Sequence, residues 1–333
     1  DNMKIKLFII LLFSLFCTGC HSYTELNDIS IVSVIGIDYQ NDKYHLVVNV
    51  IDGSLDDKEI EKQITTFHSE QSSLEEAFHD VYLKSSKKLY LSHLDLLVLT
   101  ENAVQEKFVE VIDNFLENNE YRNNFNIVLL KDTNIKEFMQ ENMQAEDINQ
   151  LIKTNERETG FSAIRDFETI LKELLIDKNS YLPTISYPNQ ELTLKGFTLI
   201  KNYQVYQELS LKESILLNLL QNKIQKAYLN ETNILESQTL ITTNKNHIAI
   251  RFLMTIQEDN RFEEKTKENI KQFLNKFYED DYDILKLTEK IRKNDYRYYQ
   301  NTDLLLQKLK FDFTFKIKEK ETYLQRGAIY ETK

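Results

Sequence analysis

Short β-branched runs alternate with amphipathic helical periods along most of this 333-residue chain. That alternation constrains the fold most, because strands recurring between helices pack as sheets covered by helical layers. Ile29 to Ile37 (ISIVSVIGI) is a continuous apolar run, the pattern of a buried strand. A polar turn at 38–42 and a second run, Tyr44 to Ile51, predict a hairpin. Ser72-Ser73 with Glu75 and Glu76 predicts a helix start, carried by Ala77, Phe78, Val81 and Tyr82. Leu94 to Thr100 reads as a strand, and Val104, Phe108, Val111 and Phe115 mark the helix after it. Phe125 to Leu130 is a further strand, with a helix over Asn134 to Met143. The expected class is α/β in the mixed α+β sense: multi-domain, with mixed β-sheets flanked by α-helices.

The polar stretch 141–158 reads as a connecting segment, followed by an amphipathic helix from Phe161 to Leu175. Both prolines, Pro183 and Pro188, then fall together and predict a domain boundary. Beyond it, 192–200 and 204–206 read as a hairpin, and Ser210 with Glu213 forms a capping box. Gln238 to Thr243 and His247 to Ile256 read as strands around an Asn244-Lys245-Asn246 turn. Ile270, Phe273, Leu274 and Phe277 share one helix face, and a second helix is expected from about Asp283. Phe311 to Lys318 alternates strictly and predicts a half-exposed strand. The expected organisation is a leader over 1–19, an N-terminal α/β region over 20–190 with two subdomains, and a C-terminal domain over 191–333.

Scarce residue types narrow the chemistry. The chain has six Gly, two Pro, two Cys and no Trp. A G-x-G-x-x-G phosphate loop alone would take half the glycines. Two cysteines make neither a disulfide framework nor a four-thiolate zinc site. The net charge of −12 is uneven. Seventeen basic residues against fourteen acidic lie from Arg261 to Lys333, and residues 1–19 carry +1, which leaves −16 for 20–260. No basic stripe of the nucleic-acid-binding kind is present, so no nucleic-acid partner is expected. An acidic body is also repelled by an anionic leaflet, so charge alone does not attach the chain to a membrane.

The N-terminus points to a compartment. Lys4 and Lys6 precede a ten-residue apolar run, Leu7 to Phe16. A spanning helix needs about 20 apolar residues, so the run fits the h-region of a signal peptide instead. Cys17-Thr18-Gly19-Cys20 follows and resembles a bacterial lipobox, with Cys17 standing where Leu is usual. That resemblance implies cleavage before Cys20 and lipidation of its thiol. Cys17 would then leave with the leader and Cys20 would become a thioether, so the mature chain would carry no free thiol.

Several blocks, in order, resemble the Ger(x)C lipoproteins, the C subunits of bacterial spore germinant receptors. Cys20 is followed by Glu25-Leu26-Asn27-Asp28 and a strand holding Gly36, Ile37 and Asp38, although His21 replaces the usual Trp. Ser92-His93-Leu94 resembles the family's Gly-His-Leu segment. Leu194-Lys195-Gly196-Phe197, Leu209-Ser210 and Glu213 resemble a further family pattern, as do Asp283-Ile284-Leu285, the 311–318 strand and Arg326-Gly327. The family's Trp-x-x-x-Phe-Pro segment is absent near Asn301–Leu306. The resemblance implies a three-domain mixed α/β architecture and a lipid anchor on the outer face of the spore inner membrane. It implies partners too: a membrane-spanning A subunit and a transporter-like B subunit, which together with this chain trigger germination. It assigns no enzyme activity, catalytic residue, metal or cofactor.

The residues themselves offer little catalytic chemistry. His21, His45, His68, His79, His93 and His247 form no i,i+4 pair on a predicted helix. His93 and Asp95 are expected on one face of an extended segment, a structural pair rather than a catalytic one. A calcium loop starting at Asp281 fails, with Lys286 at its sixth position and Arg292 at its twelfth. Asp283 reads instead as a helix N-cap, and Asp295 to Tyr299 (DYRYY) as a surface or subunit contact. The alternative function is an extracytoplasmic solute-binding lipoprotein that takes a small ligand in an interdomain cleft.

Overall fold

The computed structural model describes Met3 and residues 29–52, 64–140, 144–257, 261–302 and 304–320. Its first sheet has nine strands. β1 (Ile29–Gln40) and β2 (Lys43–Asp52) form the expected hairpin, with Asn41 and Asp42 at positive φ as a tight two-residue turn demands. β3 (Ile64–Gln71), not foreseen because ITTFHSEQ is polar, adds antiparallel to β2 as an edge. After α1 (Leu74–Lys84), β4 (Lys88–Tyr90) and β5 (Leu96–Thr100) run parallel to β1 in succession, with a 3-10 turn at Leu91–His93 between them.

α2 (Glu101–Glu117), β6 (Asn126–Lys131), α3 (Ile135–Gln140), α4 (Ala145–Glu158) and α5 (Phe167–Asp177) come next. β7 (Asn179–Ser186), β8 (Thr193–Lys201) and β9 (Gln204–Glu208) complete the sheet. Four central strands, β1, β5, β6 and β7, are parallel, and antiparallel strands extend both sides. The parallel strands read as near-continuous apolar runs because both faces are covered. Ile35, Leu97, Leu99, Ile127 and Leu129 face α1, α2 and α5 in one core. Val34, Val98, Val128 and Leu130 face Ile135, Phe138, Ile148 and Ile152 of α3 and α4 in another.

Two segments differ from the sequence expectation for identifiable reasons. Residues 145–158 are helical, not irregular, because Ala145, Ile148 and Ile152 form a narrow stripe that docks on the sheet. The helix expected from Phe161 starts at Phe167 instead, capped by the Asp166 carboxylate on the Thr169 N–H at 2.8 Å. The chain before it is committed to β6, with the Ile127 N–H on the Arg165 carbonyl and Asp166 bridged to Asn126. Pro183 lies within β7, which was not foreseen as a strand, and Pro188 opens the 3-10 turn that follows it. β6 pairs only with Thr184–Ser186, so Pro183 has a partner strand on one side alone, as suits a residue with no backbone N–H to donate. The division at 190/191 falls in the link between β7 and β8, and the first sheet spans it.

The second sheet is β10 (Ala227–Leu229), β11 (Thr232–Asn244), β12 (His247–Gln257) and β13 (Lys310–Lys320). β13 pairs parallel to β12 after a crossover through α7 (Phe262–Glu279), α8 (Leu287–Asn294) and α9 (Tyr296–Gln300). Ile248, Ile250, Phe252, Met254 and Ile256 of β12 alternate onto Phe273, Leu274 and Phe277 of α7. Between the two sheets lies α6 (Leu211–Leu220), buried from Ser214 to Leu220. An apolar surface on every side suits a helix enclosed by other elements. Ser210 and Glu213 close its capping box as expected. Further bonds tie the halves: Lys286 Nζ to Asp177 Oδ1 at 2.7 Å, and the Tyr181 hydroxyl to Gln221.

Candidate functional site

Cys20, the residue expected to carry the lipid, lies outside the described residues, as do Cys17, His21, the 25–28 block and Arg326-Gly327. The five described histidines are dispersed. His93 belongs to the 3-10 turn rather than an extended segment and packs beside the Tyr90 ring at 5.5 Å. Burial first, then Lys136 and Lys84, hold His68 below its usual pKa. His45 stands 3.7 Å from Glu70, and His247 opens β12 at the surface. Among the described residues no group of three or more His, Cys, Asp or Glu could hold a metal ion. Asp283 caps as expected but from further upstream: its oxygens accept from the Leu287 and Thr288 N–H groups at 2.8 and 2.7 Å, and α8 begins only at Leu287. In DYRYY, Tyr296 is exposed while Tyr298 packs on the core of the second sheet.

Ligands of open parallel sheets usually sit at the carboxyl ends of the strands. Here that end is internally satisfied. Buried Asp38 accepts from Thr100 Oγ1, from the Tyr39 N–H at 2.8 Å and from Gln40 Nε2 at 2.8 Å. Lys131 lies between Glu101, at 3.2 Å, and Glu208.

The opposite end is open. A cleft of about 590 Å³ lies where α4 passes the starts of β5 and β6 and meets the segment after α6. α4 contributes Glu146, Asn149, Gln150, Lys153, Glu156 and Arg157. Asp95 stands before β5 and Asn126 starts β6, while Ile164, Lys223 and Gln225 close the other wall. Three cationic and three carboxylate side chains thus line one space. Asn126 Nδ2 donates to Asn149 Oδ1 at 3.0 Å, and the Ile164 N–H to Glu156 Oε2 at 3.0 Å. Lys223 Nζ reaches the Ile164 carbonyl at 3.5 Å, the outer limit of a hydrogen bond. Burial, and then the nearby Arg165 guanidinium, pull its ammonium below the ordinary lysine range against the opposing pull of Glu156, Glu173 and Asp166.

Near Lys223 lies a buried polar knot. Arg165 pairs with Glu173, donates to Ser180 Oγ at 3.2 Å and lies 3.9 Å from the Tyr181 ring centroid. Ser180 Oγ donates to Glu173 Oε2 at 2.7 Å. One carboxylate therefore answers the guanidinium, and the Arg165 Nε has no partner among the described residues. The cleft lining contains no Ser, Thr, Cys or His. Sequence reasoning passed over these residues because 141–158 looked irregular; the spacing of Ala145, Ile148 and Ile152 was the signal for the helix that carries them.

Comparison with known proteins supports the family resemblance noted in the sequence. Residues 22–187 match the family model described as "Spore germination protein N-terminal domain", and the match ends just past β7. Spore germination protein KC of Bacillus subtilis (strain 168) is 25% identical over 200 residues, 55% of this chain and 48% of that protein. The chain thus aligns with about half the length of that relative. The crystal structure of the GerBC protein superposes with a TM-score of 0.48 at 17% identity, covering 86% of this chain and 96% of that one. The chain belongs to the Ger(x)C family of spore germination proteins.

Proposed function

We propose that this chain is the lipid-anchored C subunit of a spore nutrient germinant receptor, held on the outer face of the spore inner membrane and docked to the A and B subunits. Family membership carries the reading. The basic n-region, the apolar run 7–16 and Cys20 support the anchor. Among the described residues no helix is long and apolar enough to cross a membrane. Each buried methylene of an acyl chain contributes about 0.8 kcal/mol, so more than one chain on Cys20 anchors durably. Docking is supported by Leu211 and Tyr228, large apolar side chains left at the surface along one groove with Phe161 and Ile234. In this reading the subunit works by binding and not by catalysis. The test is Cys20→Ala expressed in spores. The variant is expected to leave the membrane fraction and to impair the germination response. Normal membrane association of the variant would refute the anchor.

A further inference from the structure

We infer that the outer face of the second sheet turns toward a leaflet of anionic phospholipid and orients the tethered chain on it. The inference rests on the membrane-anchored reading and adds which surface meets the lipid. β11, β12 and β13 send alternate side chains to opposite faces. One set makes the core: Ile248, Ile250 and Phe252 of β12 are buried, and Phe311, Phe313 and Phe315 of β13 pack against them, with the Phe252 and Phe315 rings stacked at 4.6 Å. The other set faces water, with Leu240, Arg251, Thr314, Lys316 and Lys318 exposed.

Register gathers the charges of that outer set. His247 pairs with Lys310, Arg251 with Thr314, Leu253 with Lys316, Thr255 with Lys318 and Gln257 with Lys320. Five cations, Arg251, Lys310, Lys316, Lys318 and Lys320, thus stand on one face with two carboxylates, Glu236 and Asp312. Thr255 Oγ1 donates to Glu236 at 3.2 Å, and none of the five cations is ion-paired among the described residues. This basic face belongs to a chain of net charge −12. Charge divided in this way behaves as a dipole beside a charged surface. An anionic leaflet repels the acidic remainder and attracts the basic face, so charge sets the direction in which the chain points while the anchor holds it there. Charges more than a Debye length away, about 8 Å at physiological salt, are screened, so the face dominates once it is in contact. Lipid suits these residues better than an acidic protein does. Four of the five cations are Lys, which is depleted at protein interfaces. Clusters of about four to eight Lys or Arg are the recurring contact with anionic lipid.

The test is acetylation of the full lipidated chain on vesicles, read lysine by lysine by mass spectrometry. Vesicles of phosphatidylcholine alone are compared with vesicles containing one-third phosphatidylglycerol. On the anionic vesicles Lys316 and Lys318 are expected to react about threefold or more slowly than on the neutral ones, and high salt should remove the difference. Lys172 on α5 and Lys293 on α8, both exposed and off this face, serve as unchanged references. Lys316→Gln with Lys318→Gln should return Lys310 and Lys320 close to their neutral-vesicle rates. Flotation with phosphatidylcholine vesicles reads the anchor by itself, so failure of the anchor and failure of the face are distinguishable. Equal rates on the two vesicle types, or protection of Lys310 and Lys320 that survives the double substitution, would overturn the inference. Protection in isolated spore membranes with none on protein-free anionic vesicles would assign the face to an acidic protein and overturn the lipid.

Discussion

Gly196 is the residue at which backbone conformation and packing meet most sharply. It lies in β8 opposite Thr184, where the pairing with β7 shifts register, and has φ +82. An alanine there carries about 1–2 kcal/mol of left-handed backbone strain. Its Cβ would also press on Ser214 Oγ of α6 inside normal contact and approach Phe161 Cε2 at 3.2 Å. Overpacking of a tight interior adds about 1–3 kcal/mol, so Gly196→Ala should cost about 2–5 kcal/mol in all. The two contributions separate in a double-mutant cycle. Ser214 is buried, and its hydroxyl has no hydrogen-bond partner among the described residues, so Ser214→Ala alone is close to neutral. In the double variant the hydroxyl is gone and the backbone strain remains, which should restore about 1–3 kcal/mol as a coupling energy. Urea denaturation of the four proteins, followed by far-UV circular dichroism, measures each corner. A Gly196→Ala cost below about 0.5 kcal/mol would refute the strain reading. A double variant no more stable than Gly196→Ala would refute the contact with α6.

Two further outcomes follow from charged groups. Glu173→Gln should destabilise the fold by about 3–5 kcal/mol, because it leaves the buried Arg165 without a carboxylate, whereas Arg165→Met with Glu173→Leu should be nearly neutral; urea midpoints decide between them. Glu213 sits at the start of α6: burial alone would raise its pKa, but the Lys276 ammonium at 2.6 Å and the Ser210 bonds hold it below its ordinary 4.5. The folded state therefore binds this proton less readily than the unfolded chain. The resulting stabilisation is present above pH 4.5 and is lost as pH falls through the depressed folded value. Lys276→Met should flatten the stability–pH slope in that window, and an unchanged slope would contradict the assignment.

Local pattern carried the reading of single elements far. The β1–β2 hairpin, β5, α2, β6, the α6 capping box and α7 all lie where periodicity and turn chemistry place them. The misses share a cause. β3 is polar because it is an edge strand with little to bury, and α4 shows only a three-residue stripe because one face suffices to dock it. The helix expected from Phe161 starts six residues later because 165–166 are claimed by β6, a pairing about forty residues distant in sequence. α8 starts after Asp283 because residues 283–286 form a turn first, with Lys286 at φ +53.

The cleft was illegible for the same reason. Asp95, Asn126, Lys153 and Lys223 look like ordinary polar surface residues until the fold brings them around one cleft. By itself the sequence determined the alternating α/β class, the helix caps and the family, because each is written in residues close together along the chain. Only the tertiary structure decided that one sheet crosses the two prolines, that α6 is enclosed between two sheets, and that Arg165 and Glu173 pair in the interior. Those outcomes depend on long-range pairing and on which charges burial removes from water, and neither quantity has a local signature.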